Sequence, residues 1–155
     1  MIKKSYFLTF FSLSKLNIKD FKLKVILVEP EGPINVGSIA RLCANFEVDQ
    51  LRIVAPKCDI FSLDSVKMSL KGYTYLEDLN LFNSLKEAVS DCDLVLATCG
   101  RIDNSKDTNQ YSLSEISKWI NLSNNIGNLA IVFGRETSGL TNKELLLAHR
   151  VLYIN

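Results

Sequence analysis

Residues 25 to 46 read VILVEPEGPINVGSIARLCANF. An aliphatic run, Val25 to Val28, leads into two prolines, then Gly32 and Gly37 five residues apart, then an amphipathic run. A buried strand, a glycine-bounded loop and a helix in that order form the opening unit of an α/β sheet. A P-loop has the same outline, but it needs Lys after its second glycine to reach the β and γ phosphates and Ser or Thr next for magnesium. Ser38 and Ile39 follow Gly37 here, so the loop is not a nucleoside triphosphate cradle. Ile39, Leu42, Cys43 and Phe46 fall at i, i+3, i+4 and i+7, which builds one apolar helix face and leaves Ser38, Arg41 and Asn45 on the other side. Arg41 is therefore expected one turn into a helix at the carboxyl end of the first strand. In open α/β sheets, ligands bind at that edge.

The same alternation continues along the chain. Aliphatic runs at 51 to 55, 94 to 98, 129 to 133 and 151 to 154 read as further buried parallel strands. Ser84 with Glu87, Ser112 with Glu115 and Thr141 with Glu144 have the spacing of helix capping boxes. Leu63 to Lys71 reads as a helix and Tyr73 to Leu76 as a short strand. The expected fold class is α/β, a parallel sheet flanked by helices, with no internal repeat and no second domain. Near the end, LAIVFGRETSGLTNKEL repeats the opening construction: a strand, Gly134 and Gly139 again five apart, and a capped helix. If their strands are neighbours, Asn35, Arg41 and Glu136 converge at one sheet edge.

The bulk properties limit the function classes. A chain of 155 residues with 47% hydrophobic composition is the length of one domain and buries a sizeable core. A net charge of +1 gives no global polyanion signal, so nucleic-acid contacts must come from a local cluster. Cys43, Cys58, Cys92 and Cys99 are irregularly spaced without a C-x-x-C pair, which indicates neither a zinc site nor a disulfide framework and points to a reducing cytoplasm. Residues 1–23 form a basic leader expected to be poorly ordered, ahead of a domain spanning 24–155. Its apolar run, Tyr6 to Leu13, is broken by Thr9 and Ser12, lacks a small-x-small cleavage site and is too short to span a bilayer, so no membrane partner is expected.

Three ordered motifs carry a family resemblance: N-x-G-[SA]-x-A-R at Asn35 to Arg41, A-T-C-G-R at 97 to 101, and F-G-R-E-x-x-G-L-T-N-x-E at 133 to 144. Together they resemble the SpoU family of RNA 2′-O-ribose methyltransferases within the SPOUT superfamily, and most resemble its tRNA cytidine/uridine branch. The resemblance covers Lys24 to Asn155. It implies a SPOUT-type domain with a trefoil-knotted carboxyl end, S-adenosylmethionine as methyl donor, tRNA as the RNA partner, and a homodimer with its active site at the subunit interface. By position it implies that Thr98, Cys99, Gly100, Gly134 and Ile154 bind the cofactor. Asn35, Arg41 and Glu136 would face the RNA and the reacting ribose, and Arg101 and Arg135 would contact RNA phosphates.

These residue types suit ribose methylation. The weakly acidic 2′-hydroxyl must be aligned with the sulfonium methyl, and its developing negative charge must be stabilised. A guanidinium is effectively always charged and is a poor proton acceptor, so Arg41 is expected to hold a phosphate and favour the alkoxide. Glu136 is expected to orient an arginine, and no metal is required. In the family a proline, a loop and a Ser-Leu-Asn segment complete the knot after the last strand here. The resemblance therefore implies that residues 1–155 alone bind cofactor weakly, with an inactive fragment that retains RNA or partner binding as the alternative. Glu144 is expected to act as a cap, Cys99 as a strand-end filler, His149 without a catalytic part, and Tyr73, Tyr75 and Trp119 as packing residues.

Overall fold

The computed structural model describes residues 21–100, 110–123 and 126–153. The expectations for the leader up to residue 20, for Arg101 and for Ile154 lie outside the described residues. Seven strands form one parallel sheet: β1 (Lys22–Val28), β2 (Gln50–Val54), β3 (Asn80–Phe82), β4 (Leu94–Cys99), β5 (Gln110–Tyr111), β6 (Asn128–Phe133) and β7 (Arg150–Tyr153), in the order β3-β2-β1-β6-β4-β7-β5. The helices are α1 (Pro33–Asn45), α2 (Leu63–Ser69) with a 3-10 turn at Leu70–Gly72, α3 (Tyr73–Glu77), α4 (Leu85–Ala88), α5 (Leu113–Leu122) and α6 (Asn142–Leu145). Among these residues no helix is long and apolar enough to cross a membrane.

Strand alternation divides the core in two. On β1, Leu23, Val25 and Leu27 join a large cluster with Ile39, Leu42 and Cys43 of α1 and Ile116 and Ile120 of α5. Ile26 and Val28 face the other way, into a smaller cluster closed by Leu85 and Ala88 of the four-residue α4. Each fully buried aliphatic side chain contributes on the order of 1.5–3 kcal/mol. β1 begins at Lys22, and Leu23 is buried, so the sheet starts ahead of the Lys24 expected from sequence.

Two sequence expectations are corrected by the packing. Tyr73 to Leu76 lies in helix α3, not a strand, because the free edge of β2 is already paired with Asn80–Phe82. Tyr75 and Leu76 instead pack on the large cluster, and the Tyr75 hydroxyl donates to Val48 O at 2.5 Å. Ser38, expected on the open face of α1, is buried at 1% exposure. The sequence period marked only the sheet-facing side of α1, whereas α2 and the following 3-10 turn cover a second side. The contacts are close: a Cβ on Gly37 would stand 2.1 Å from Ser65 O, and one on Gly72 would stand 2.3 Å from Ala40 O. The long aliphatic strands were legible as such; β3 and β5, of three and two residues, carry no aliphatic run to mark them.

Candidate active site

β1 and β6 are neighbours, paired from Lys22 with Asn128 to Leu27 with Phe133. Their register delivers both glycine loops to the carboxyl edge of the sheet at the same height. This is also where the strand order changes direction, since β1 continues to β2 on one side while β6 and β4 lie on the other. Two residues at this edge have strained backbone. Glu29 and Ala55, which directly follow β1 and β2, have φ of 46° and 42°. Non-glycine residues in that region cost of order 1–3 kcal/mol and persist only where surrounding contacts fix them. For Glu29 the fixing contacts are its N–H to Val54 O at 2.8 Å and its carboxylate to Arg135 Nε at 3.0 Å.

The two loops are tied together in both directions. The Glu136 carboxylate accepts from Glu31 N–H at 2.8 Å, Gly32 N–H at 3.3 Å and Asn35 Nδ2 at 3.0 Å. In return, the Glu31 carboxylate accepts from Thr137 N–H at 3.2 Å and from its hydroxyl at 2.8 Å. Gly32 is the N-cap of α1 and Pro33 follows it, so the helix has no side-chain cap of its own. Glu136 supplies an anion there from the other loop, where the helix dipole favours negative charge. Because Asn35 donates through Nδ2, its Oδ1 remains an acceptor.

Within the second loop, Gly134 is required by close approach and Gly139 by its backbone. A Cβ on Gly134 would stand 2.3 Å from Gly139 C, and Gly139 has φ +73°. Arg135, expected at an RNA phosphate, is instead held inside the chain, with its side chain 15% exposed. Its Nη1 and Nη2 each donate to Glu144 at 3.0 Å, its Nη1 to Gly139 O and its Nε to Glu29. Four hydrogen bonds occupy most of the five guanidinium N–H donors. Glu144 closes the expected capping box with Thr141, and it also forms the Arg135 fork that its spacing did not reveal.

This clamp gives the site an acid limit. The hydrogen bond from Arg135 holds the Glu29 carboxyl below its ordinary range. Burial opposes the charge on Glu144, but the bonds from Arg135 and Thr141 outweigh it and also lower its pKa. A carboxyl whose folded pKa is depressed contributes stability above its unfolded pKa and loses it as pH falls through the folded value. The unfolding temperature is therefore expected to hold from pH 7 to about 5 and to fall below about pH 4. In Arg135→Met this acid-side drop should flatten, and an unchanged profile would show that the clamp does not carry it.

Arg41 is exposed on α1, and among the described residues its side chain has no hydrogen-bond or ion-pair partner. The structure thus brings Asn35 and Glu136 into contact and places Arg41 on the same helix, without a contact between them. Thr98, Cys99 and Gly100 end β4 beside β7, with Thr98 opposite Leu152 and Cys99 opposite Tyr153. The Thr98 hydroxyl donates to Val132 O at 3.0 Å, and a Cβ on Gly100 would meet nothing within 4 Å. Among the described residues, nothing stands over Gly100, which lies beside the Gly134 loop. Glu29, Glu31 and Thr137 were missed in the sequence; the only signal for them was an E-x-E pair directly after a strand whose partner loop carries R-E-T.

A model of the SpoU rRNA methylase family matches residues 22–155. The chain belongs to the SpoU rRNA methylase family. It is 35% identical over 133 residues to the tRNA (cytidine-2′-O-)-methyltransferase TrmJ of Sulfolobus acidocaldarius, an alignment covering 85% of this chain and 55% of the relative. The crystal structure of TrmJ from Z. mobilis ZM4 superposes with TM-score 0.74 at 27% identity, covering 85% of this chain and 58% of that one. The SpoU methyltransferase AviRb from Streptomyces viridochromogenes in complex with AdoMet gives TM-score 0.63 at 18% identity, over 92% of this chain and 51% of that one, and shares the fold. This SpoU family chain spans about half the length of the curated relatives it matches.

Proposed function

We propose that this SpoU family protein transfers the methyl group of S-adenosylmethionine to a ribose 2′-hydroxyl of tRNA. The observation that carries the reading is the joined pair of glycine loops, with Asn35 held by Glu136 at the carboxyl edge of β1 and β6. The TrmJ relative, named for cytidine 2′-O-methylation of tRNA, supports the substrate class. The backbone at Gly100, uncovered among the described residues and next to the tight turn at Gly134, fits a cofactor bound largely through main-chain groups of Thr98 to Gly100 and Gly134. When bound, S-adenosylmethionine supplies an electrophilic methyl on sulfur.

The chain's own residues would orient the acceptor. Asn35 offers Oδ1 toward the ribose while Glu136 fixes its amide, and the exposed guanidinium of Arg41 holds a phosphate and stabilises the developing alkoxide. The hydroxyl proton passes to that phosphate or to water. A homodimer and a cytoplasmic location belong to this reading. Ile34 beside the site and Phe61, Leu63 and Leu70 around α2 are large exposed apolar side chains of the kind a second subunit covers.

The test is transfer of tritiated methyl from S-adenosylmethionine to unmodified tRNA, with nucleosides identified by mass spectrometry. It is run with the full-length protein. A ribose-methylated nucleoside is expected. Label found only on a base, or no label, would overturn the proposal.

A further inference from the structure

The opposite, amino-terminal edge of the sheet holds charged residues that ribose methylation does not use. Lys24 and Arg52 occupy interior positions of β1 and β2 and are 6% and 5% exposed. Strand alternation places them on the side of the smaller cluster, where among the described residues the short α4 is the helix packed on the sheet. Burying a charge costs several kcal/mol unless it is paired and hydrogen-bonded. Both cations turn to one carboxylate: Asp91 accepts from Lys24 Nζ at 2.6 Å and from Arg52 Nη1 and Nη2 at 2.6 and 2.8 Å.

The two cations are not equally satisfied. Arg52 also donates to Ala88 O and to Gln50 Oε1, and it lies over the Phe82 ring. Lys24 uses one of its three ammonium donors, and among the described residues the other two have no acceptor. Beside it opens a cleft of about 510 Å³, whose lining includes Lys22, Gln50, Asp49 and Asn128. Asp49 does not neutralise the cations, since its carboxylate accepts from Leu23 N–H and forms no ion pair with either of them. The lining carries Lys22, Lys24 and Arg52 against Asp49 and Asp91, an excess of one positive charge. Gln50 must turn its oxygen toward Arg52 Nε, which leaves its NH2 to donate, and the Asn128 side-chain amide has no partner among the described residues.

The geometry points to an oxyanion site: this cleft takes a phosphate group, bound by Lys24 Nζ together with Lys22 and the amides of Gln50 and Asn128. Several donors around a lining with one net positive charge match the three or four oxygens of a phosphate better than the two of a carboxylate. The phosphate comes either from an RNA backbone, in which case the protein grips RNA on two opposite edges, or from free phosphate. The site stands independently of the methyl-transfer reading.

The test begins with thermal unfolding of the full chain in low-millimolar sodium phosphate and in sodium chloride of equal ionic strength. Phosphate is expected to raise the midpoint and chloride is not. Lys24→Met removes the unfilled donors and should abolish the shift. Lys22→Ala and Asn128→Asp change the rim without touching the core, so they keep the test valid if Lys24→Met does not fold. Asn128→Asp adds a carboxylate and should weaken phosphate binding about 10-fold or more. Coincident phosphate and chloride curves, or a shift that survives both rim variants, would overturn the site and leave water as the occupant. Titration with tRNA then distinguishes the sources. Reduced affinity and a log–log salt slope smaller by about one in Lys22→Ala identify RNA, and unchanged tRNA binding identifies free phosphate.

Discussion

Arg41→Ala is expected to lower methyl transfer to tRNA by about 10²–10³-fold, the range for removing one donor that stabilises charge developing in a transition state. The exposure of Arg41 and its lack of a partner among the described residues make this a clean substitution, so unfolding stability should stay within about 0.5 kcal/mol. S-adenosylmethionine affinity, measured by calorimetry, should also be nearly unchanged, because the cofactor is assigned to Thr98 through Gly100 and to Gly134. Arg41→Lys restores the charge without the planar fork and should recover only part of the rate. Loss of cofactor binding in Arg41→Ala would refute the division of roles, and an undiminished rate would remove Arg41 from the site.

Gly37→Ala is expected to cost about 3 kcal/mol of stability, although alanine is the better helix former by about 1 kcal/mol. The new Cβ would stand 2.1 Å from Ser65 O and 2.9 Å from Ser65 C. Both are backbone atoms, so no rotamer change relieves the overlap, and α1 must move away from α2. That movement also opens the contact between Gly72 and Ala40 O and shifts Asn35, half a turn earlier on α1. Gly100→Ala is the control, since its Cβ meets nothing within 4 Å, and it should change stability by less than about 0.5 kcal/mol. Urea unfolding measures both. A Gly37→Ala variant within 1 kcal/mol of its parent, roughly the helix-propensity gain alone, would mean that the helices are not in this close contact.

The sequence by itself determined the elements whose cause is local. The aliphatic runs VILV and LAIVF are buried strands, and Ser112 with Glu115 and Thr141 with Glu144 form the capping boxes that their spacing dictates. The motif order also carried the family, and the match over residues 22–155 bears it out. What depends on partners distant in the chain was decided only by tertiary structure. Tyr73–Glu77 became a helix because another segment had already paired with β2, and Ser38 became buried because α2 crosses α1 at Gly37. Arg135 reads as a free loop cation until the pairing of β1 with β6 brings Glu29 beside it, some hundred residues away in sequence. Glu136 reads in the sequence as the orienter of an arginine, and the same pairing sets its carboxylate at the start of α1. Local pattern fixes which face of an element is apolar, but hydrogen-bond partners are fixed by register, and register between β1 and β6 exists only once the sheet is assembled.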